Sequence, residues 1–414
     1  MTEIFDVEKI RADFPILSRE VYGKPLTYLD NGASAQKPKV VLDAIQTGFG
    51  DEYANVHRGL HYLSNISTQK FENARNSVQK FLNAKSNNEI IFTKNATEAI
   101  NLVAASLGQS SLSEPAKIGK GDEIILSVME HHSNIVPWHF LRERNGAVLK
   151  WAKIDNKGNF LLDEYEKLFT KNTKFVAISH MSNAIGTITP IKKMIEIAHN
   201  QGVKVLVDGS QSAVHMHIDV VDLDADFFVF TGHKTYGPSG VGVLYGKENL
   251  LNELPPFLGG GEMIDIVTKD KVTYMQAPHR FEAGTPPIVE AIGLGVALEY
   301  MMEIGRDNIA AHENNLLKIA TDELQKINSI KIIGEADNKG ALISFSIGDI
   351  HPHDISTIID REGVAIRAGT HCAQPVLDFF GKTATCRASF AMYNNENDID
   401  RLIAAVKKAQ SFFI

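Results

Sequence analysis

Cysteine is nearly missing: the 414 residues contain two, Cys372 and Cys386. Two thiols exclude a disulfide scaffold and a four-ligand zinc site, so each reads as a free thiol, inert or reactive, and no metal ligand is assigned. A surplus of positive charge is missing too. Lys and Arg number 42 against 50 Asp and Glu, a formal charge of −8, which argues against nucleic acid as a partner. Long apolar runs are also lacking, because the longest uncharged stretches, such as residues 99–113, are interrupted by Asn, Gln and Ser. They fall short of the ~20 apolar residues that cross a bilayer. The opening MTEIFDVEKIRADFP mixes acidic and basic residues where a secretory signal needs a basic start and an apolar block. A cytoplasmic protein without membrane contact is expected. With 44% hydrophobic and 22% charged residues the chain can bury a large core, and disorder as its main state is excluded.

Between about residues 120 and 250, short β-rich runs alternate with helical patterns: EIILS at 123–127, KFVAIS at 174–179, VKVLVD at 203–208 and DFFVF at 226–230. That alternation predicts an α/β fold, a mostly parallel sheet covered by helices. A helix over 191–201 starts after Pro190, repeats apolar residues at Ile191, Met194, Ile195 and Ala198, and stops at Gly202. Near Pro286 the pattern changes to one long helical stretch reaching about Lys326. Two strands, a helix from about His353, the strand VAIRAG and a closing helix with Ile399, Leu402, Ile403 and Val406 on one face follow. The expected organisation is a large domain over 29–286 and a smaller α+β domain made of 1–28 with 287–414. The glycines 259–261 read as a loop or hairpin.

Three segments have the means for chemistry at one sheet edge. In FTKNATEAINLVA a strand ending near Thr93 meets Asn95, placed to cap a helix with Glu98 at its third position. Such a start offers unpaired N–H groups and positive dipole charge to a phosphate, with the Thr97 hydroxyl beside them. VLVDGSQ ends a buried strand with Asp208 and puts Gln211 three residues on, at the carboxyl edge where α/β sheets collect ligands. FTGHKTYGPSGVG follows the next strand and sets Thr231, His233 and Lys234 on a glycine-bounded loop. A lysine at a strand end is usually a solvated cation. Beside an anion site and a carboxylate it meets the needs of pyridoxal phosphate: an amine for the aldehyde, a carboxylate for the pyridine nitrogen and a helix start for the phosphate.

With these segments on the page the chain resembles the class V branch of fold-type I pyridoxal-phosphate enzymes, and within it the cysteine desulfurases of the SufS type. The resemblance runs through NVHRGLHYLS, MEHHSNIVPW, SNAIGT, VDGSQ, FTGHKTYGPSGVG, RFEAGTP, RAGTHCAQP and CRASFAMYN. It implies pyridoxal 5'-phosphate as cofactor, Lys234 as the Schiff-base lysine and Asp208 as partner of the pyridine nitrogen. Gln211 and Asn183 would lie near the phenolic oxygen, His131 would stack on the ring and relay protons, and Ala96, Thr97, Thr231 and His233 would hold the phosphate. Thr285 would reach the phosphate of a neighbouring subunit, which implies a homodimer.

Arg387 matches the arginine that holds the substrate carboxylate, a task suited to a guanidinium fork. Asn183 and His57 would also approach the substrate. Cys372, among polar residues and glycine, is the candidate nucleophile, whereas Cys386 reads as a buried small hydrophobe. The resemblance implies that L-cysteine gives L-alanine and a persulfide on Cys372, which passes to a SufE-like or SufU-like acceptor for iron–sulfur cluster assembly. Selenocysteine lyase activity is compatible with this. The competing expectation is a class V aminotransferase or kynureninase-like hydrolase without sulfur transfer, against which RAGTHCAQP argues. Thr370 and His371 stand where the family usually has two histidines.

Overall fold

The structure is a computed structural model that describes residues 5–109, 111 and 117–413. Seven strands form the central sheet in the spatial order Ile90–Thr93, Gly242–Gly246, Phe227–Thr231, Lys204–Asp208, Thr173–Ser179, Glu123–Ser127 and Val148–Ala152. Gly242–Gly246 runs antiparallel to both neighbours, and the remaining pairings are parallel. The central strands are buried on both faces, as their uninterrupted apolar sequences require. Successive side chains point to opposite faces. Val176, Val205, Val207, Phe228 and Phe230 therefore enter one core, while Phe175, Ala177, Leu206, Phe227 and Val229 enter the other.

The helix Ile191–Asn200 lays Ile191, Met194, Ile195 and Ala198 on the first of these cores, as its apolar spacing indicated. The uncharged stretch over 99–113 begins in the helix Ala96–Leu107, and its end lies partly outside the described residues. Among the described residues no helix is long and apolar enough to cross a membrane.

A second sheet of four antiparallel strands has the order Ile330–Ile333, Leu342–Ile347, Thr385–Ser389 and Arg367–Gly369. The helices Pro352–Arg361 and Glu396–Ser411 cover it with Ile355, Ile359, Leu402 and Val406. Near the amino end, Thr27–Tyr28 pairs in parallel with Val364–Ala365. Arg11 Nη1 donates to Asp398 Oδ2 at 2.9 Å and to the Tyr393 carbonyl at 2.8 Å.

Two elements differ from the sequence reading. The helical stretch after Pro286 is two helices, Ile288–Ile304 and Arg306–Gln325, which meet at Gly305 with φ +91°. Glycine takes that left-handed angle without a Cβ clash. The break lets Leu294, Leu298 and Met301 join Phe71 and Val78 in the large-sheet core while Leu316, Ala320 and Leu324 pack on the small sheet. VAIRAG is likewise two strands, because the chain changes partner within six residues: Val364–Ala365 pairs with Thr27–Tyr28, and Arg367–Gly369 with the strand holding Arg387. The glycines at 259–261 lead into a hairpin of Ile264–Val267 with Val272–Tyr274.

Candidate active site

The topology delivers polar groups to one edge. Ser127, Ser179, Asp208 and Thr231 end neighbouring strands of the large sheet. The loops after the last three help line a cavity of about 270 Å³. The small sheet closes the other side with Arg367, His371, Cys372 and Arg387.

One corner is an anion cradle. Asn95 Oδ1 accepts from the Glu98 amide at 2.9 Å and starts the helix Ala96–Leu107, leaving Ala96 and Thr97 on the cavity wall. Gly242 makes room for this: a Cβ there would lie 2.4 Å from the Asn95 carbonyl carbon. The Thr97 hydroxyl sits 2.6 Å from that of Ser133. The Thr231 hydroxyl is buried without a hydrogen-bond partner among the described residues. His233 completes the corner, and burial first, then Lys234 and Lys37, push its pKa down to about 4. Each is a neutral donor or hydroxyl suited to phosphate oxygens.

Lys234 lines the same cavity. Burial lowers its pKa to about 8; Asp208 pulls the other way, and Arg387 and Arg367 push further down. An amine held there gains a far larger neutral fraction than an exposed lysine has, and the neutral amine is the form that bonds an aldehyde or takes a proton. Asp208 is buried, and its Oδ1 accepts from the Ser210 amide at 2.9 Å. Gln211 Nε2 donates to the Gly32 carbonyl at 2.8 Å.

His131 accepts from the Ser133 amide through Nδ1 at 3.0 Å, so the neutral ring carries its proton on Nε2. Burial first, then the neighbouring Lys234, His132 and Arg387, lower its pKa to about 3 and keep the ring neutral.

Arg387 rises from the middle of Thr385–Ser389 into the cavity, while Cys386 beside it turns into the small-sheet core, as alternation in a strand requires. Arg387 Nη1 donates to the Asn183 carbonyl at 2.7 Å and Nη2 to Asp30 Oδ1 at 3.4 Å. Its Nε is buried without a hydrogen-bond partner among the described residues. Burial, opposed by Asp30, lowers its pKa to about 10, and it remains a cation at neutral pH.

The Cys372 thiol is exposed on the cavity wall, on a turn in which His371 and Cys372 both have φ +54°. The Asn183 side chain donates to the His371 carbonyl at 2.6 Å, so Asn183 touches both the arginine and the cysteine turn. Cys386 is buried, its thiol pushed up to about 12 by burial.

The expected residues Ala96, Thr97, His131, Asn183, Asp208, Gln211, Thr231, His233, Lys234, Cys372 and Arg387 therefore share one cavity. Two stand elsewhere in the single chain. Thr285 is exposed, and His57 Nε2 lies 2.9 Å from Glu72 Oε1 with its ring edge-on to Phe71 and His279. Ser133, Asp30 and Arg367 were not read from the sequence. Ser133 had a signal in its place beside His131, whereas Asp30 and Arg367 meet only through the fold, at 3.2 Å.

The Thr231 hydroxyl and Arg387 Nε mark two places where anionic oxygens would satisfy buried donors, with a half-buried lysine and a buried aspartate between the two sheets. That set fits pyridoxal phosphate together with an amino-acid carboxylate.

Comparison with known proteins agrees. Residues 27–402 match the aminotransferase class-V family. A protein of Streptomyces coelicolor named a probable cysteine desulfurase is 47% identical over 99% of this chain and 98% of its own. A cysteine desulfurase of Escherichia coli is 47% identical over 98% of both. The crystal structure of the cysteine desulfurase CsdA from Escherichia coli superposes with a TM-score of 0.91 at 37% identity, covering both chains completely. The chain belongs to the aminotransferase class-V family of pyridoxal-phosphate enzymes, with their fold type I.

Proposed function

We propose that the protein is a cysteine desulfurase. It converts L-cysteine to L-alanine and leaves the sulfur as a persulfide on Cys372, and the carrying observation is that exposed thiol on the wall shared by Lys234 and Arg387. The Lys234 amine would bond the cofactor, Asp208 would face its pyridine nitrogen, and Ala96, Thr97, Thr231 and His233 would hold its phosphate. When bound, pyridoxal phosphate supplies an electron sink for charge developing at the substrate Cα.

Arg387 holds the substrate carboxylate and fixes its orientation. Neutral Lys234 accepts the Cα proton on Nζ, and His131 holds or returns a proton through Nε2. The Cys372 thiolate attacks the substrate sulfur: the carbon–sulfur bond breaks with its electron pair left on the carbon side, a sulfur–sulfur bond forms, Cβ gains a proton, and Lys234 returns the proton to Cα, which completes alanine. An exposed thiol then supports transfer to a SufE-like or SufU-like acceptor for iron–sulfur cluster assembly, with selenocysteine as a side substrate.

The protein would act in the cytoplasm as a homodimer; exposed Thr285 supports the dimer, in which it would reach the neighbouring subunit's phosphate, and His57 would approach the substrate. The chain divides into a larger body over 29–286 and a smaller one of 1–28 with 287–414 that carries Cys372. The packing of Ile288–Ile304 on Phe71 and Val78 supports moving that helix to the larger body, with the break at Gly305. A class V aminotransferase or kynureninase-like reaction has no use for Cys372.

The test is alanine formation from L-cysteine by wild type and Cys372→Ser. Wild type forms alanine and, with an acceptor protein, forms it faster. Cys372→Ser should lose at least about 10²-fold while keeping bound cofactor absorbance. A serine variant that still makes alanine at the wild-type rate sinks the proposal.

A further inference from the structure

The turn that carries Cys372 is held in a conformation that side chains seldom take. His371 and Cys372 are consecutive non-glycine residues with φ +54°. Such a pair persists only where its surroundings over-determine it. The Ala373 amide donates to the Thr370 carbonyl at 3.0 Å, which closes the turn locally. The His371 ring is tied to the small sheet, its Nε2 lying 2.8 Å from the Thr385 hydroxyl, and two restraints come from the large-sheet side: Asn183 Nδ2 donates to the His371 carbonyl at 2.6 Å, and the His132 amide donates to the Cys372 carbonyl at 2.7 Å.

The helix Gln374–Phe379 begins directly after this turn, and Ala373, at its N-cap position, has no side chain able to cap it. The cap comes from elsewhere. The Gln374 amide donates to His132 Nε2 at 3.3 Å. His132 thus grips the main chain beyond the thiol at two points, once with its own backbone and once with its ring. It is the second histidine of the MEHH segment, and the first, His131, faces the cavity.

We propose that His132 is a positioning residue for Cys372, its ring capping the helix start from the opposite sheet so that the strained turn keeps the thiol on the cavity wall. The proposal rests on Cys372 as the sulfur acceptor. It requires Nε2 to be an unprotonated acceptor, with the ring proton on Nδ1. A side chain with an amide oxygen can take the same hydrogen bond, while alanine cannot.

The experiment uses the holoenzyme for kinetics and the same preparations, freed of cofactor, for thiol reactivity. His132→Ala should lower kcat for alanine formation roughly tenfold, the size of one net hydrogen bond, with KM for L-cysteine within about twofold. Iodoacetamide labelling of Cys372, followed by intact mass, should become several-fold faster as the turn loosens, and buried Cys386 serves as the unreactive internal control. His132→Gln should recover most of both values. Unchanged kcat or unchanged labelling in His132→Ala overturns the proposal, as does equal impairment of the Ala and Gln variants. Cys372→Ser separates the two readings: alanine formation without the thiol sinks the acceptor role, whereas its loss beside an indifferent His132→Ala sinks only the clasp.

Discussion

Lys234 and Cys372 face one cavity from two sheets that hold them in opposite ways. The lysine follows a fully buried strand of the large sheet, in a loop closed by the Gly237 amide donating to the Gly232 carbonyl at 3.0 Å. The cysteine follows an edge strand of the small sheet, exposed, on a left-handed turn held by Asn183 and His132. The difference matches what the proposed function asks of each group. An amine gains its neutral form from burial, which disfavours the ammonium. A thiol that passes sulfur to another protein must stay within reach of solvent. Burial tunes the first; backbone geometry aims the second.

Removing the amine is the sharpest way to break that contrast. Lys234→Ala should reduce alanine formation by at least about 10³-fold, the scale of losing a group proposed as both base and anchor. Iodoacetamide labelling of Cys372 in the cofactor-free protein should stay within about twofold of wild type, because the turn takes its restraints from His132, Asn183, Thr370 and Thr385. A large change in labelling would mean the two sides are not independently held.

A smaller effect tests the burial argument itself. The pKa of Lys234 is lowered from 10.5 to about 8, chiefly by burial. For an amine, a lowered value means the neutral form takes over at lower pH, so between pH 8 and 10.5 Lys234 is mostly neutral while an exposed lysine is mostly charged. At pH 8 roughly half of the Lys234 amines are neutral, against roughly 0.3% of ordinary ones. Reductive methylation of the cofactor-free protein, quantified at Lys234 by peptide mass, should rise through pH 8 and level off by about pH 9. Asp208 raises the value, so Asp208→Asn should shift the midpoint lower. A midpoint near 10 would remove burial as the controlling influence.

The large sheet was legible because its strands are buried on both faces and therefore appear as unbroken apolar runs ending in polar residues. EIILS matched the observed Glu123–Ser127, and VKVLVD ended at Asp208 as observed. The anion corner was legible because capping is local: Asn95 and Glu98 lie three residues apart and meet through one hydrogen bond. The small domain was harder. Gly305 gave a visible glycine but no sign that the helices on its two sides belong to different cores. VAIRAG has strand propensity throughout, and only a partner change, from Thr27 to Arg387, divides it. The ties between Asp30 and Arg387, or His132 and Gln374, join residues hundreds of positions apart, where periodicity carries no information.

The mildest perturbation concerns the second thiol, fourteen positions from the first in sequence and opposite to it in setting. Cys386 is buried in the small-sheet core, its Sγ 3.4 Å from the Pro352 carbonyl, and its pKa is pushed up to about 12 by burial. It is held neutral, out of reach of reagents, and acts as a small apolar side chain. Cys386→Ser replaces the thiol by a more strongly hydrated hydroxyl that must be desolvated in the same place. It should cost about 1 to 3 kcal/mol of stability in urea unfolding. Because Arg387 keeps its contacts to Asn183 and Asp30 on the other face of the strand, kcat should remain within about twofold. Cys372→Ser should behave in reverse: an exposed position predicts a stability change within about 0.5 kcal/mol, beside the loss of activity. If the buried substitution instead abolished turnover while leaving the urea midpoint in place, Cys386 would be a participant in the chemistry, and the assignment of aim to one cysteine and packing to the other would be reversed.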